Sequence, residues 1–169
     1  MIGARTLAIG LCVLAVAHPL AAQTPAAKAP DEDAILATVD RFMLTIAGND
    51  FAAMSALVLE GSFSVMERPG ADGRPQTMRR VFDASTRKPG NFREAYWDPV
   101  VQQRGGIAVV WAPYEFWSDG KTTHCGVDVV DLVKQQDGWK IANLMWTVEP
   151  DACPSMRPAD PSRVRPRVQ

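Results

Sequence analysis

The sequence predicts an α+β domain in which N-terminal helices pack on a curved antiparallel sheet. Three features carry that prediction. Ile35, Val39, Phe42, Met43 and Ile46 recur at helical spacing early in the chain. Four runs rich in Val, Ile and aromatic residues fill the second half: "FREAYWDPVVQ", "GIAVVWAPYEFW", "TTHCGVDVVDLV" and "GWKIANLMWTVE". The breaks between them, "RGG", "SDGK" and "QQDG", are turn chemistry, and Asp-Gly between apolar runs is a strong hairpin signal. Helices first and a meander second is the α+β order.

Residues 1–22 read as a signal peptide. Arg5 gives a positive start, Leu7 to Ala17 an apolar run too short to span a bilayer, and Ala21-Ala22 before Gln23 a small-residue cleavage site. The expectation is export to a periplasm or beyond, with no membrane span left after processing. Removing 22 of 169 residues leaves 147, enough for one domain with a core. Residues 23–30 are a Pro/Ala-rich lead-in. The domain proper is assigned to 31–153.

Acids at Asp31 to Asp33 suit the first turn of the long helix, Gly48 a stop, and Asn49 or Asp50 the cap of a short second helix through "FAAMSAL". Leu59 to Met66 alternates weakly, as a strand does. "ERPGADGRP" is a turn, and "TMRRVFDAS" reads as one or two helical turns. Asp98-Pro99 predicts a strand kink, because proline removes a ladder donor. The tail, residues 154–169, has four prolines and four arginines and little to bury, so disorder is expected there.

From Asp31 to Cys153 there are 18 acids and 12 bases, a net of −6. Folded surface of that sign is not a nucleic-acid footprint. Once Cys12 leaves with the leader, only Cys125 and Cys153 remain, and two cysteines in an oxidising compartment pair more often than not. A bond closing 28 residues is worth roughly 3.5 kcal/mol in the chain-entropy model. A thiolate nucleophile or metal ligand is the minority alternative. His124 is the only histidine outside the leader, and one histidine with a bonded cysteine cannot supply a zinc set. No EF-hand loop, phosphate-binding glycine loop or serine nucleophile elbow is present.

The order of a long helix, "GND" before a short one, then "EAYWDPVV", "GGIAVVWAPYEFWSDGKTTHCGVDVVDLV" and "GWKIANLMWTVEPDACP" resembles the nuclear-transport-factor-two-like superfamily. Within it, the likeness is to small secreted lumazine-binding-like and polyketide-cyclase-like (SnoaL-like) members, over residues 31–153. The resemblance implies a cone: a strongly bent antiparallel sheet wrapped by helices, with a pocket at the wide end. It also implies a homodimer. The superfamily includes isomerases, dehydratases, cyclases and silent binding modules, so the fold does not select the function.

Strand parity gives a first placement of side chains. A two-residue turn at Asp119-Gly120 sets Trp117 opposite Thr122, Glu115 opposite His124 and Trp111 opposite Asp128. One face then carries Trp111, Glu115, His124, Asp128, Val130, Asn143, Met145 and Thr147, an apolar wall with converging polar groups, as pockets have. The other carries Val110, Ala112, Tyr114, Phe116, Cys125, Leu144 and Trp146, and reads as core or dimer packing. Glu115 and His124, about 5 Å apart across the strands, can form a charge-assisted pair. That histidine then pins the sheet rim, contacts a ligand or acts as a general base. Asp128 is a structural acceptor or, in an apolar setting, a carboxyl with a raised pKa, as in the proton-shuttling isomerases of the superfamily. Glu94 is assigned to the pocket too, although no readable turn fixes its parity. Five tryptophans, at 97, 111, 117, 139 and 146, supply core or an aromatic pocket wall.

The expectation is therefore a domain binding a small, apolar or aromatic molecule without a metal or cofactor. Two alternatives stand beside it. One is a cofactor-free isomerase, dehydratase or cyclase using Asp128 or the His124–Glu115 pair; the other is a structural or dimerisation module without a ligand.

Overall fold

The computed structural model describes residues 28–167, so the signal-peptide reading and all but the last three residues of the lead-in lie outside the described residues. Helix α1 (Glu32–Gly48) forms where the stripe predicts it, and all five stripe residues are buried. Each large apolar side chain taken out of water contributes roughly 1.5–3 kcal/mol, which is what holds the helix to the sheet. Asn49, left-handed at φ 52°, ends α1. Asp50 caps α2 (Phe51–Leu57), its carboxylate accepting from the Ala53 amide at 2.9 Å. Asp31 caps nothing and instead binds Lys134 at 2.7 Å.

The strands are β1 (Val58–Pro69), β2 (Pro75–Val81), β3 (Phe92–Trp97), β4 (Val100–Arg104), β5 (Ile107–Ser118), β6 (Lys121–Gln135), β7 (Gly138–Thr147) and β8 (Val164–Arg165). They form one curved sheet in the order β2-β1-β7-β6-β5-β3-β8, with β4 also on β5. The four predicted runs supply β3 with β4, β5, β6 and β7. Asp119 and Gly120 take φ 53° and 73°, the positive values a tight hairpin turn requires. At the predicted kink Asp98 has φ 47°, and β3 and β4 pair with successive parts of β5.

Two expectations about the first half are corrected. "TMRRVFDAS" is not helical: it supplies most of β2 and runs into a short 3-10 turn, Ala84–Thr86. A full ladder with β1, including Met66 opposite Met78, outweighs the local preference. The sheet is also mixed, because β1 runs parallel to β7.

The larger correction concerns which face is which. Pairing of β5 with β6 starts as the turn dictates, Trp117 opposite Thr122, but the next pair is Phe116 with His124. Thr123 is the extra residue of a β-bulge, and a one-residue shift exchanges the two faces. Glu115 therefore faces Cys125 and Asp128 faces Ala112, not His124 and Trp111 as parity without a bulge requires. A second shift separates Leu132–Ile141 from Asp131–Asn143, leaving Ala142 over and setting Asp128 opposite Trp146. The inner face, packed on α1, thus carries Val110, Ala112, Tyr114, Val130 and Leu144. The face expected to be core or dimer packing is the one that holds the cavity.

The tail is not disordered through residue 167. Cys125 and Cys153 are bonded, with Cα atoms 5.1 Å apart, and Trp97 packs on the bridge. Beyond Cys153 a short helix, α3 (Cys153–Met156), leads to β8, which pairs with β3. Three of the four tail arginines meet acids of the domain. Arg157 Nε donates to Glu115 Oε2 at 2.7 Å, Arg163 Nε to Asp98 Oδ1 at 2.5 Å, and Arg165 Nη2 to Asp40 Oδ2 at 2.6 Å. Tyr96 adds its hydroxyl to Asp40 at 2.7 Å, tying α1, β3 and β8 together. Charge complementarity supplied what the tail lacks in apolar surface. The double variant Cys125→Ala/Cys153→Ala is expected to lose about 2–4 kcal/mol of stability, read as a lower urea midpoint than oxidised wild type. An unchanged midpoint contradicts a stabilising bridge.

Candidate functional site

A cavity of about 250 Å³ lies between the inner sheet face, α1 and the segment around Phe82. Phe42 and Ile46 line it from α1, Tyr114 and Phe116 from β5, and Leu144 and Trp146 from β7. Five polar residues break the apolar wall: Ser64, Arg87, Glu94, His124 and Asp128. Their positions follow from register. His124 and Asp128 are two pleats apart on β6, and Glu94 is opposite Phe116, so it shares the face that Phe116 shares with His124.

Asp128 is buried, 4% exposed. Its Oδ2 is enclosed and receives no donor among the described residues. The Glu94 carboxyl is close enough to act on Asp128 by both charge and hydrogen bonding. Two ionised carboxylates cannot satisfy one another, and a proton shared between them can. Both groups are accordingly shifted upward. Burial raises Asp128 well above the usual range, and the charge and hydrogen bond of Glu94 raise it further. Burial raises Glu94 to about 7, opposed by its bond to Asp128 and by the nearby charge of Arg87. The two carboxyls titrate as a coupled pair, both raised, and the pair holds a proton well above the usual carboxylate range.

His124 stacks on Phe116, ring centres 5.5 Å apart, and meets Tyr114 edge-on at 5.6 Å. Burial lowers its proton affinity and favours the neutral ring. Its Nδ1 lies 2.7 Å from the Thr123 hydroxyl, so the bulge residue also orients the ring. The Tyr114 hydroxyl is committed elsewhere, donating to the Thr147 carbonyl at 2.8 Å. Gly126 leaves room for that crossing: a Cβ there would stand 2.1 Å from the same carbonyl oxygen.

Of the residues proposed from sequence, Asp128, His124 and Glu94 come together in the cavity. Five do not. Trp111 and Met145 lie on the outer face, 53% and 41% exposed. Asn143 accepts from the Phe63 amide, and Thr147 bonds Val127 and Glu149. Glu115 belongs to the tail clasp, held by Arg157 and by the Thr122 hydroxyl at 2.5 Å. Burial opposes its ionisation, and these partners more than offset that, lowering its pKa. The proposed His124–Glu115 pair is thus absent. Parity put Tyr114, Phe116, Leu144 and Trp146 on the opposite face because the two bulges were invisible to it, although Trp146 was among the five tryptophans offered as core or pocket wall. Sequence reasoning missed Ser64, Phe82 and Arg87 because the register of 60–90 had no readable anchor. Glu115, Cys125 and Cys153 cluster closely, but the sulfurs are bonded to each other and the carboxylate to Arg157, which leaves no free donor set there.

No protein-family model matches this chain, and neither does any curated protein. Solved structures do. A protein with a cystatin-like fold from Nostoc punctiforme aligns over 73% of this chain and 95% of its own, at TM-score 0.55 and 12% identity. The beta subunit of a candidate aromatic-ring-hydroxylating dioxygenase from Novosphingobium aromaticivorans aligns over 69% and 88%, at 0.56 and 12%. A candidate dehydratase of the NTF2-like family from Streptomyces avermitilis aligns over 71% and 98%, at 0.53 and 16%. At these identities the likeness is one of fold, and it singles out no subgroup. The chain has the nuclear-transport-factor-two-like, or cystatin-like, fold.

Proposed function

We propose that the protein is an exported small-ligand-binding domain, whose cavity takes a flat, largely apolar molecule and anchors it on the Asp128–Glu94 pair. The enclosed, donor-free Oδ2 of Asp128 in an aromatic-walled cavity carries this reading. An unsatisfied buried polar atom costs about 1–3 kcal/mol, and a ligand hydroxyl or amide that reaches it recovers that cost. Export draws support from the leader-like first 22 residues and the Cys125–Cys153 bond. N-terminal sequencing of protein recovered from the periplasm checks the cut near Ala22-Gln23.

One observation favours a second reading, a cofactor-free isomerase, dehydratase or cyclase. A carboxyl raised well above the usual range beside one raised to about 7 supplies an acid and a base for proton transfer. Binding alone predicts that Asp128→Asn leaves affinity little changed and that no ligand is altered. Catalysis predicts that turnover collapses while affinity survives.

The neutral dye phenylnaphthylamine, flat and apolar, is expected to raise the melting temperature and quench Trp146. Ser64→Phe, which fills the cavity, is expected to abolish both effects without lowering the melting temperature of the free protein. Binding that survives Ser64→Phe contradicts the site. The raised Glu94 pKa has a definite sign in stability. Between the ordinary value of 4.5 and about 7 the folded state holds a proton that the unfolded state releases. That contribution is full below the lower value and is lost as pH rises through the upper one. Relative to wild type, Glu94→Gln is thus expected to gain in melting temperature from about pH 5 to about pH 8. A difference that does not change with pH contradicts the shift.

A further inference from the structure

The cavity does not end at Trp146. A wider vestibule of about 580 Å³, floored by Met66, Met78, Phe82 and Trp146, adjoins it and shares Ser64, Phe82, Arg87 and Trp146 with its lining. The floor continues the inner sheet face, because Met66 is opposite both Met78 and Trp146 in the β2-β1-β7 ladder. The rim is cationic. Arg68 and Arg80 stand on the same face of β1 and β2, and Arg87 and Lys88 follow the 3-10 turn. None of these four has an ion-pair partner among the described residues, whereas three tail arginines are all paired. The one acid at the rim, Asp83, is occupied by the amide and hydroxyl of Ser85, at 2.9 and 2.6 Å.

This placement runs against the composition. The domain from Asp31 to Cys153 has a net charge of −6, yet residues 68–93 hold seven bases and two acids. Unpaired arginines beside an apolar cavity are placed to meet a negative group, and the planar guanidinium matches oxyanion geometry. Arg87 lines both the vestibule and the inner cavity, so one side chain spans the passage between them. We infer that the ligand is a small amphipathic organic anion. Its apolar ring system enters the cavity, and a terminal oxyanion, carboxylate or sulfonate in type, is held at the mouth by Arg80 and Arg87, with Arg68 and Lys88 adding long-range attraction. This inference rests on the cavity being a ligand site, and adds the chemical class of what fills it.

Two dyes of the same shape separate the claims: anionic anilinonaphthalene sulfonate and neutral phenylnaphthylamine, titrated on the full mature protein by fluorescence. The sulfonate is expected to bind more tightly to wild type. The exposed variant Arg68→Gln/Arg80→Gln, at two vestibule residues outside the inner-cavity lining, is expected to weaken it by about tenfold and to leave the neutral dye unchanged. Arg104→Gln, on β4 and outside both vestibule and cavity, controls for general surface charge and is expected to change neither. Raising the ionic strength is expected to weaken the sulfonate alone. Equal binding of both dyes, or equal losses from the vestibule and control variants, overturns the anion inference while the cavity survives as an apolar site. If neither dye binds, or if Ser64→Phe leaves sulfonate binding intact, the cavity reading falls, and the anion inference with it.

Discussion

One extra residue in β6, Thr123, decides which side chains meet. Before it, the Asp119-Gly120 turn sets the pairing of β5 and β6; after it, every residue of β6 faces the opposite way relative to β5. That is why His124 and Asp128 share a wall with Tyr114, Phe116 and Trp146, and why Glu115 is left on the other side to receive Arg157. The second shift, at Ala142, brings β7 into agreement, so that Leu144 and Trp146 close the cavity. Bulges also increase local twist, and a sheet that must wrap α1 needs that curvature. Bending the sheet and choosing the pocket residues are thus the same event.

The charges divide along the same line. On the outside, acids of the domain are matched by a basic tail: Glu115, Asp98 and Asp40 each hold an arginine from residues 157–165. On the inside, neither Asp128 nor Glu94 forms an ion pair among the described residues, and burial favours a proton on the pair. The disulfide joins the two regions, since Cys125 follows His124 on β6 and Cys153 begins the tail. An oxidised bridge keeps Arg157 near Glu115, so the clasp and the bond reinforce each other.

Much of the fold was legible in the sequence, and the reasons are specific. The α1 stripe is unambiguous at five positions, Asp119-Gly120 marks a two-residue hairpin turn, and "QQDG" marks a second hairpin, whose turn length the structure sets at two residues. Cysteine arithmetic found the one bond. What was not legible depended on long-range pairing. No local signal marks Thr123 as a bulge, because its hydroxyl contacts, to the Phe116 carbonyl and to His124, exist only after β5 has paired. "TMRRVFDAS" carries no strand signal strong enough to stand without β1 beside it. The tail looked unable to order itself because its partners are acids dispersed over α1, the β3–β4 kink and β5. Asp128, His124 and Glu94 were found as candidates, but the partners assigned to the first two were those of the wrong face.

The account stands or falls on the shared proton in the cavity. The direct measurement is a carbon-13 titration of the side-chain carboxyls of Glu94 and Asp128 in the oxidised protein, from about pH 4 to about pH 9. The structure predicts that Glu94 titrates near 7 and that Asp128 titrates well above the usual carboxylate range. If both carboxyls titrate near 4, as free side chains do, they hold no common proton, and the cavity is a packing feature without the polar anchor assigned to it.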